Sequence, residues 1–394
     1  MKHVTIVGIG MGADTVTIEG RRAIDQAQAV FGAPRMLAAF PRHDRPSYPV
    51  YEPDKVSNIV RESELSQFAV LVSGDAGFYS AADALIGALS LHDVQIIPGI
   101  SSVSYFFAKI QRPWQHAELI SCHARAANFV DRVRRNRLTF ALTGGNVPSL
   151  ARALADAGYA HLDATVGENL GAPNERIYTL PTGALAEASV EKLAVLLVEN
   201  PESDARIRFG IPDGEFIRGD VPMTKSEVRA QIMSRLALAP DVVCADIGAG
   251  TGSVSVEMAL AAHRGHVYAI DREENAVSLI YENARKFHIG NISPLHASVP
   301  GALDELPPLD AAFIGGSGGA MADIFTKILS KNPHARLVLT AIALQTLHAA
   351  TAAFQAHGIA PEIVQIGAAR AKPAGNLHML IAQNPVFVLA GGGV

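Results

Sequence analysis

Cysteine is nearly absent: Cys122 and Cys244 are the two in 394 residues. That excludes a disulfide framework, and Cys244, inside the apolar run "DVVCADIG", reads as a small buried thiol in a reducing compartment. Net positive charge is missing too. At −5 the chain lacks the global field of a nucleic-acid binder, so any basic pocket must be local. No uncharged apolar run approaches the roughly 18 residues that a membrane span needs. "MKHVTIVGIG" enters a strand pattern at once, without the apolar core and small-residue site of a signal peptide, so cytoplasmic residence is expected. His123 beside Cys122 has no second Cys/His cluster to complete a ligand set, and no metal site is expected. No short repeat or low-complexity segment suggests a solenoid.

What is present points to α/β architecture. Nearly half the residues are apolar, and 34 Gly and 22 Pro are spread along the chain, as in globular α/β enzymes. The length exceeds what one core usually serves, so two domains are expected. Strand-like runs "HVTIVGIG", "QAVFGAP", "FAVLVSGD", "VQIIPGIS", "LTFALTGG" and "KLAVLLVEN" alternate with helical segments in the first half. Residues 200–222, rich in Pro, Gly and charge, read as a connection, with domains at 1–205 and 206–394. A second series follows: "DVVCADIG", "GHVYAID", "ISPLHAS", "DAAFIGG", "ARLVLTAI" and "HMLIAQNPV". These six runs describe a doubly wound, Rossmann-like sheet.

In "ADIGAGTGSV", Asp246 closes the first strand of that series. Gly248, Gly250 and Gly252 then permit a tight turn, with Ala249 and Thr251 between them, and the helix from Ser253 offers free N–H groups. A dinucleotide fingerprint needs Gly-x-Gly-x-x-Gly. Here the third glycine comes one residue early, which leaves less room for a pyrophosphate and suits S-adenosylmethionine. Asp271 ends the next strand, where a carboxylate can accept both ribose hydroxyls. In "MTKSEVRAQIMSRLAL", Thr224 and Glu227 have capping-box spacing, Val228, Ile232 and Leu236 make an apolar face, and Lys225 and Arg229 share another. Thr224 is either a cap or a ligand contact. "FIGGSGGAM" lacks the Asn/Asp-Pro-Pro-Tyr signature of methyltransferases acting on nucleic acid or glutamine. Its glycines around Ser317 instead leave space for a bulky flat acceptor, and Arg229 and Ser317 are expected to orient it.

"GIPDGEFIRGDVPMTKSEV", "DIGAGTGSVSVEMA", "VYAIDREENAVSLIYENARKF" and "FIGGSGG" resemble the decarboxylating corrinoid methyltransferases that act at carbon 15 of precorrin-6B, over residues 211–385. The resemblance implies cofactor contacts at Thr224, Gly248 to Gly252, Asp271 and Val299. Where that family usually reads Gly-Asp-Ala-Pro, this chain has "ASVP", so Ser298 replaces an acid able to hold the adenine amino group.

The first half has its own glycine turns. "VGIGMG" places Gly8, Gly10 and Gly12 after a strand, but the next strand candidate ends without an acid, against a Rossmann reading. "VSGDAGFYS", with Gly74, Asp75 and Gly77, and "IIPGISSVS", with Ser101 and Ser102, follow two further strands. Loops at the carboxyl ends of neighbouring strands should line one crevice. With "LTGGNVP" and "GENLG" these segments resemble the tetrapyrrole methylase family, in its carbon-5 corrinoid branch, over residues 1–200. That family folds as two α/β subdomains with the cofactor between them, which implies contacts at the Gly-Asp loop, the Pro-Gly-x-Ser-Ser turn and Leu142 to Gly144. Ala76 stands at a position often held by proline, and Thr143 where methionine is common.

The two resemblances together imply a bifunctional S-adenosylmethionine-dependent enzyme of cobalamin biosynthesis, with one cofactor per domain. It would methylate precorrin-6B at carbons 5 and 15 and decarboxylate the carbon-12 acetate, giving precorrin-8X. No Ser-His-Asp or Cys-His constellation is expected, because alignment of donor and acceptor supplies most of what methyl transfer needs. "RHDR" at 42–45, "RVRRNR" at 132–137, Arg370 and Lys372 are candidates for pairing with the substrate's many carboxylates. A homo-oligomer that binds neither nucleic acid nor membrane is expected. A nicotinamide oxidoreductase, a non-catalytic cofactor-binding module and methylation of another acceptor are the competing readings.

Overall fold

The computed structural model describes residues 1–122 and 128–393. His123 lies outside the described residues. The chain divides into two compact units: Met1–Ala126, Arg137–Ala151 and Leu162–Asn200 form one, Ala127–Asn136, Arg152–His161 and Pro201–Val394 the other.

The first unit holds two five-stranded sheets. One is wholly parallel, ordered Ser47–Tyr48, Ala29–Phe31, Gln67–Val72, His3–Gly8, Asp93–Ile97. A parallel strand covered on both faces is apolar without alternation, and every residue of His3–Gly8 from Val4 onward is buried. The other sheet is ordered Glu118–Ser121, Leu138–Leu142, Ala194–Glu199, Asp163–Glu168, Arg176–Pro181, and only its first pair is parallel. Helix Ser102–Lys109 lays Val103, Phe106 and Phe107 onto Leu138, Phe140, Val195 and Leu197 of that sheet. Truncating one such phenylalanine costs about 3–5 kcal/mol.

Four strands of this unit fall outside the runs expected from the sequence. Ser47–Tyr48 and Glu118–Ser121 are too short to show a period. Asp163–Glu168 and Arg176–Pro181 carry charged ends and pair antiparallel, the latter with no fully buried residue. Tertiary pairing holds them, not a continuous apolar run.

In the second unit one seven-stranded sheet runs Ile292–His296, His266–Asp271, Val243–Ile247, Ala311–Ile314, Arg336–Ala341, Val386–Gly391, Glu362–Ile366. The order reverses between Val243–Ile247 and Ala311–Ile314, the switch point at which open α/β sheets bind ligands. Val386–Gly391 is antiparallel to both its neighbours. The expected last strand, "HMLIAQNPV", therefore divides: Leu377–Ala382 pairs with Ala369–Ala374 in a separate hairpin, and the sheet strand begins at Val386. Glu362–Ile366 has no fully buried residue, which hides it from a search for apolar runs. Helix Ser253–Ala261 is buried at every position, which its small residues allow.

The supposed connection at 200–222 is folded from about residue 208. Ile211 and Phe216 join the core of the second unit. Glu257 accepts from the Gly210 and Ile211 amides at 2.9 and 3.0 Å, and Asn283 brackets Ile217, accepting from its amide and donating to its carbonyl. No helix among the described residues is long and apolar enough to cross a membrane.

Candidate functional site

Gly248, Gly250 and Gly252 adopt φ of 72°, 58° and 74°, a region that costs any other residue backbone strain. The turn is also crowded: a Cβ on Gly248 would lie 2.8 Å from the Gly316 amide nitrogen, and one on Gly250 would lie 2.9 Å from the Pro222 carbonyl oxygen. Gly315 and Gly316 donate to the Ile247 carbonyl, so the loop after the fourth strand in sequence lies directly against the first glycine turn. Asp271 accepts from the Gly250 amide at 2.9 Å through one oxygen and from the Glu273 amide at 3.0 Å through the other. It fixes the turn and keeps lone pairs for a further donor.

Asp246 lies beneath the turn, fully buried. Its Oδ2 accepts from Ser255, its Oδ1 has no partner, and the buried Thr251 hydroxyl has none either. Burial pushes the Asp246 carboxyl up to about 7, with a smaller contribution from the Asp271 charge.

Two clefts adjoin at Pro222, Gly248, Gly250 and Gly315. One, of about 450 Å³, is lined by Ile270, Asp271, Ala276, Ser298, Val299 and Ser317. The other, of about 430 Å³, is lined by Thr224, Lys225, Val228, Ala249, Thr340, Ile342, Gln383 and Asn384. The structure thus brings Thr224, Asp271, Ser298, Val299, Ser317 and the glycine turn together. Pro222, Ile270, Gln383 and Asn384 were missed in the sequence, because they come from separate loops without a motif.

Arg229 does not belong to this group. It is fully buried, donating to Glu257 at 2.9 Å, to Asp213 at 3.0 Å and to the carbonyls of Thr224 and Ile211, with its guanidinium 4.7 Å from the Phe216 ring centroid. The expected substrate-orienting role is corrected: Nη1 and Nη2 are spent holding the 211–224 segment and Nε on Glu257. The capping box is corrected as well. The helix begins at Ser226 with Lys225 at the cap position and no side-chain cap. Glu227 pairs instead with Arg370, which holds its carboxyl down at about 2.

The other basic candidates divide similarly. Arg370 also pairs with Asp213 at 2.8 Å. Arg42 pairs with Asp44, and Arg45 donates to the Ile24 and Ala27 carbonyls. Arg134 is buried against Asp131 at 2.8 Å. Lys372 is exposed on the hairpin.

In the first unit the three expected loops do meet. Gly10 and Gly74 exchange backbone hydrogen bonds of 3.0 and 2.8 Å. Asp75 accepts from the Gly77 and Gly99 amides at 2.9 and 3.0 Å, tying the Gly-Asp loop to the Pro-Gly turn. A Cβ on Gly8 would lie 2.6 Å from the Gly99 nitrogen, and one on Gly99 would lie 2.2 Å from the Gly74 oxygen. Gly12, by contrast, faces open space. Ser101 caps helix Ser102–Lys109 by accepting from the Ser104 amide. Ser102 starts that helix, half-buried. Thr143 is buried and donates to the Ala194 carbonyl at 2.7 Å, so its hydroxyl serves the sheet. Leu142 beside it is half-buried and accepts from the Cys122 amide.

Comparison with known proteins decides between readings that a glycine turn leaves open. Residues 215–390 match the family described as "Precorrin methyltransferase domain", and residues 3–186 match "Tetrapyrrole (Corrin/Porphyrin) Methylases". A probable cobalt-precorrin-6B C(15)-methyltransferase (decarboxylating) of Pyrobaculum calidifontis is 38% identical over 46% of this chain and 94% of its own. The chain belongs to the precorrin methyltransferases. A precorrin-6Y C(5,15)-methyltransferase (decarboxylating) of a Sinorhizobium species is 29% identical over 95% of this chain and 92% of its own. The crystal structure of a precorrin-6Y C5,15-methyltransferase from Geobacter metallireducens is 34% identical over 47% of this chain and 97% of its own, with a TM-score of 0.45.

The residues of this precorrin methyltransferase fit a sulfonium nucleoside. Asp271 offers acceptors to ribose hydroxyls, Ile270, Ala276 and Val299 offer apolar surface to a flat base, and Asp246 and Thr251 hold unspent polar atoms under the turn. Beside this cleft the exposed Arg272 side chain pairs with Glu273 at 3.2 Å.

Proposed function

We propose that the chain converts precorrin-6B to precorrin-8X, methylating carbons 5 and 15 and releasing the carbon-12 acetate carboxyl as carbon dioxide. The observation that carries this is the joining of a tetrapyrrole methylase domain and a precorrin methyltransferase domain in one polypeptide, aligned almost end to end with a relative named for both methylations. Residues 1–205 are assigned methylation at carbon 5, residues 206–394 methylation at carbon 15 with decarboxylation. Each binds one S-adenosylmethionine, which supplies an electrophilic methyl group when bound. The protein's own part is positional. The glycine turn and Asp271 orient the nucleoside, Ser298 and Val299 border its base, and the open edge at Gly315 to Gly319 admits a flat ring. Gly318 and Gly319 meet nothing that a side chain would touch, which leaves room for such an acceptor. In the first unit the loops at Gly8 to Gly12, Gly74 to Gly77 and Ser101–Ser102, with Leu142 and Thr143, form the corresponding seat. Fusion of both activities favours a metal-free ring and the aerobic route, in the cytoplasm.

The chain self-associates in this reading. Leu377, Met379, Leu380 and Ile381 on the hairpin are 72, 58, 73 and 44% exposed, and a two-stranded hairpin is marginal without a partner surface.

The test is product mass after incubation with precorrin-6B and S-adenosylmethionine. Gain of two methyl groups with loss of one carbon dioxide supports the reading. Methylation without decarboxylation points to another acceptor, and an unchanged mass in a folded sample refutes it.

A further inference from the structure

Of the two adjoining clefts in the second unit, the one bordered by Thr224 has a single charged residue among the described residues that line it, Lys225, set among apolar and neutral polar side chains that include Val228, Ile366, Val386, Gln383 and Asn384. Its ammonium has no carboxylate partner among the described residues. The surrounding cations are spent elsewhere, Arg229 on Asp213 and Glu257, Arg370 on Asp213 and Glu227. Glu227, the nearest acid in sequence, pairs with Arg370.

The position is unusual on local grounds. Lys225 occupies the cap of helix Ser226–Leu236, where Ser, Thr, Asp or Asn is preferred and where the positive end of the helix disfavours a cation. A residue that breaks a local rule without a compensating internal contact marks a place where function sets the choice. Lysine suits a carboxylate on a mobile periphery, because its flexible stem reaches without imposing a fork geometry.

We propose that Lys225 binds a peripheral carboxylate of the acceptor macrocycle and so sets the ring's orientation over the Gly315 edge. This rests on the functional reading above. Apolar walls at Val228, Ile366 and Val386 take the ring face, Gln383 and Asn384 supply neutral hydrogen bonds, and Lys225 supplies the single charge that fixes rotation about the ring normal. It replaces Arg229 as the basic residue of the site.

The experiment compares wild type, Lys225→Gln and Lys225→Arg in the full chain, with carbon dioxide release from precorrin-6B reporting on the second unit. Lys225→Gln raises KM for carbon dioxide release about tenfold or more, the loss of one charge-assisted hydrogen bond. Its kcat stays within about twofold, its KM becomes less sensitive to salt, and its affinity for S-adenosylhomocysteine by calorimetry is unchanged. Lys225→Arg recovers most of the affinity, and carbon-5 methylation by the same samples is unaffected. An unchanged KM in Lys225→Gln overturns the proposal alone, and a fall in S-adenosylhomocysteine affinity overturns it in favour of a cofactor contact. Failure of the wild type to release carbon dioxide overturns the functional reading and the proposal with it.

Discussion

Gly250 donates its amide proton to the Asp271 carboxylate over 2.9 Å. The acid that ends one strand thus clamps the turn that ends its neighbour, and the same carboxylate faces the nucleoside-sized cleft. Asp271→Asn removes an acceptor and a charge while keeping the shape. S-adenosylmethionine affinity in the second unit should fall roughly ten- to hundredfold. Calorimetry checks this: of the two proposed sites, the one in the second unit should drop out at moderate ligand concentration.

Gly99 is confined by backbone on two sides, with a Cβ placed 2.2 Å from the Gly74 oxygen and 2.5 Å from the Gly8 oxygen. Gly99→Ala must push these loops apart, at a cost of about 1–3 kcal/mol. Carbon-5 methylation should be lost while carbon-15 methylation and decarboxylation persist. Mass spectrometry would then show a singly methylated, decarboxylated product.

The buried Asp246 carboxyl is pushed up to about 7 from an unfolded value of 3.8. Between those values the folded chain binds more protons than the unfolded one, so this group's stabilising contribution is present below about pH 4 and is lost as pH rises through 7. Asp246→Asn should flatten the fall. Calorimetric midpoints of the second unit between pH 5 and 8 give the comparison, and parallel curves for the two proteins would refute it.

Arg229 and Glu257 form an ion pair of 2.9 Å with both side chains fully buried. Arg229→Leu leaves the buried Glu257 carboxylate without a cation, held by the Gly210 and Ile211 amides alone, while Asp213 keeps Arg370. A loss of about 3–5 kcal/mol of stability is expected, seen as a lower denaturant midpoint. A substrate-binding arginine would instead raise KM and leave the midpoint in place.

Self-association through the hairpin predicts that Leu377→Glu with Leu380→Glu lowers the sedimentation mass without changing the far-ultraviolet circular dichroism. Both positions are more than 70% exposed, so the substitutions disturb no core. An unchanged mass would place any interface elsewhere.

The readable parts of the site were those with a local cause. Gly248, Gly250 and Gly252 announce themselves because left-handed backbone strongly favours glycine, and Asp246 and Asp271 because an acid at a strand's carboxyl end interrupts an apolar run. Arg229 misled because helical spacing puts it beside Lys225, while burial depends on Asp213 and Glu257 arriving from distant segments. The 208–222 stretch misled for the same reason: its polar composition conceals Ile211, Phe216 and the contacts from Asn283.

The sequence by itself determined the α/β character, the paired glycine turns and the acids that serve the second of them, since backbone sterics and strand periodicity act over a few residues. Tertiary structure alone decided which charges are spent and which remain. Neutralisation of Arg229 and Arg370, and the freedom of Lys225, follow from ion pairs and cleft walls assembled from segments far apart in the chain.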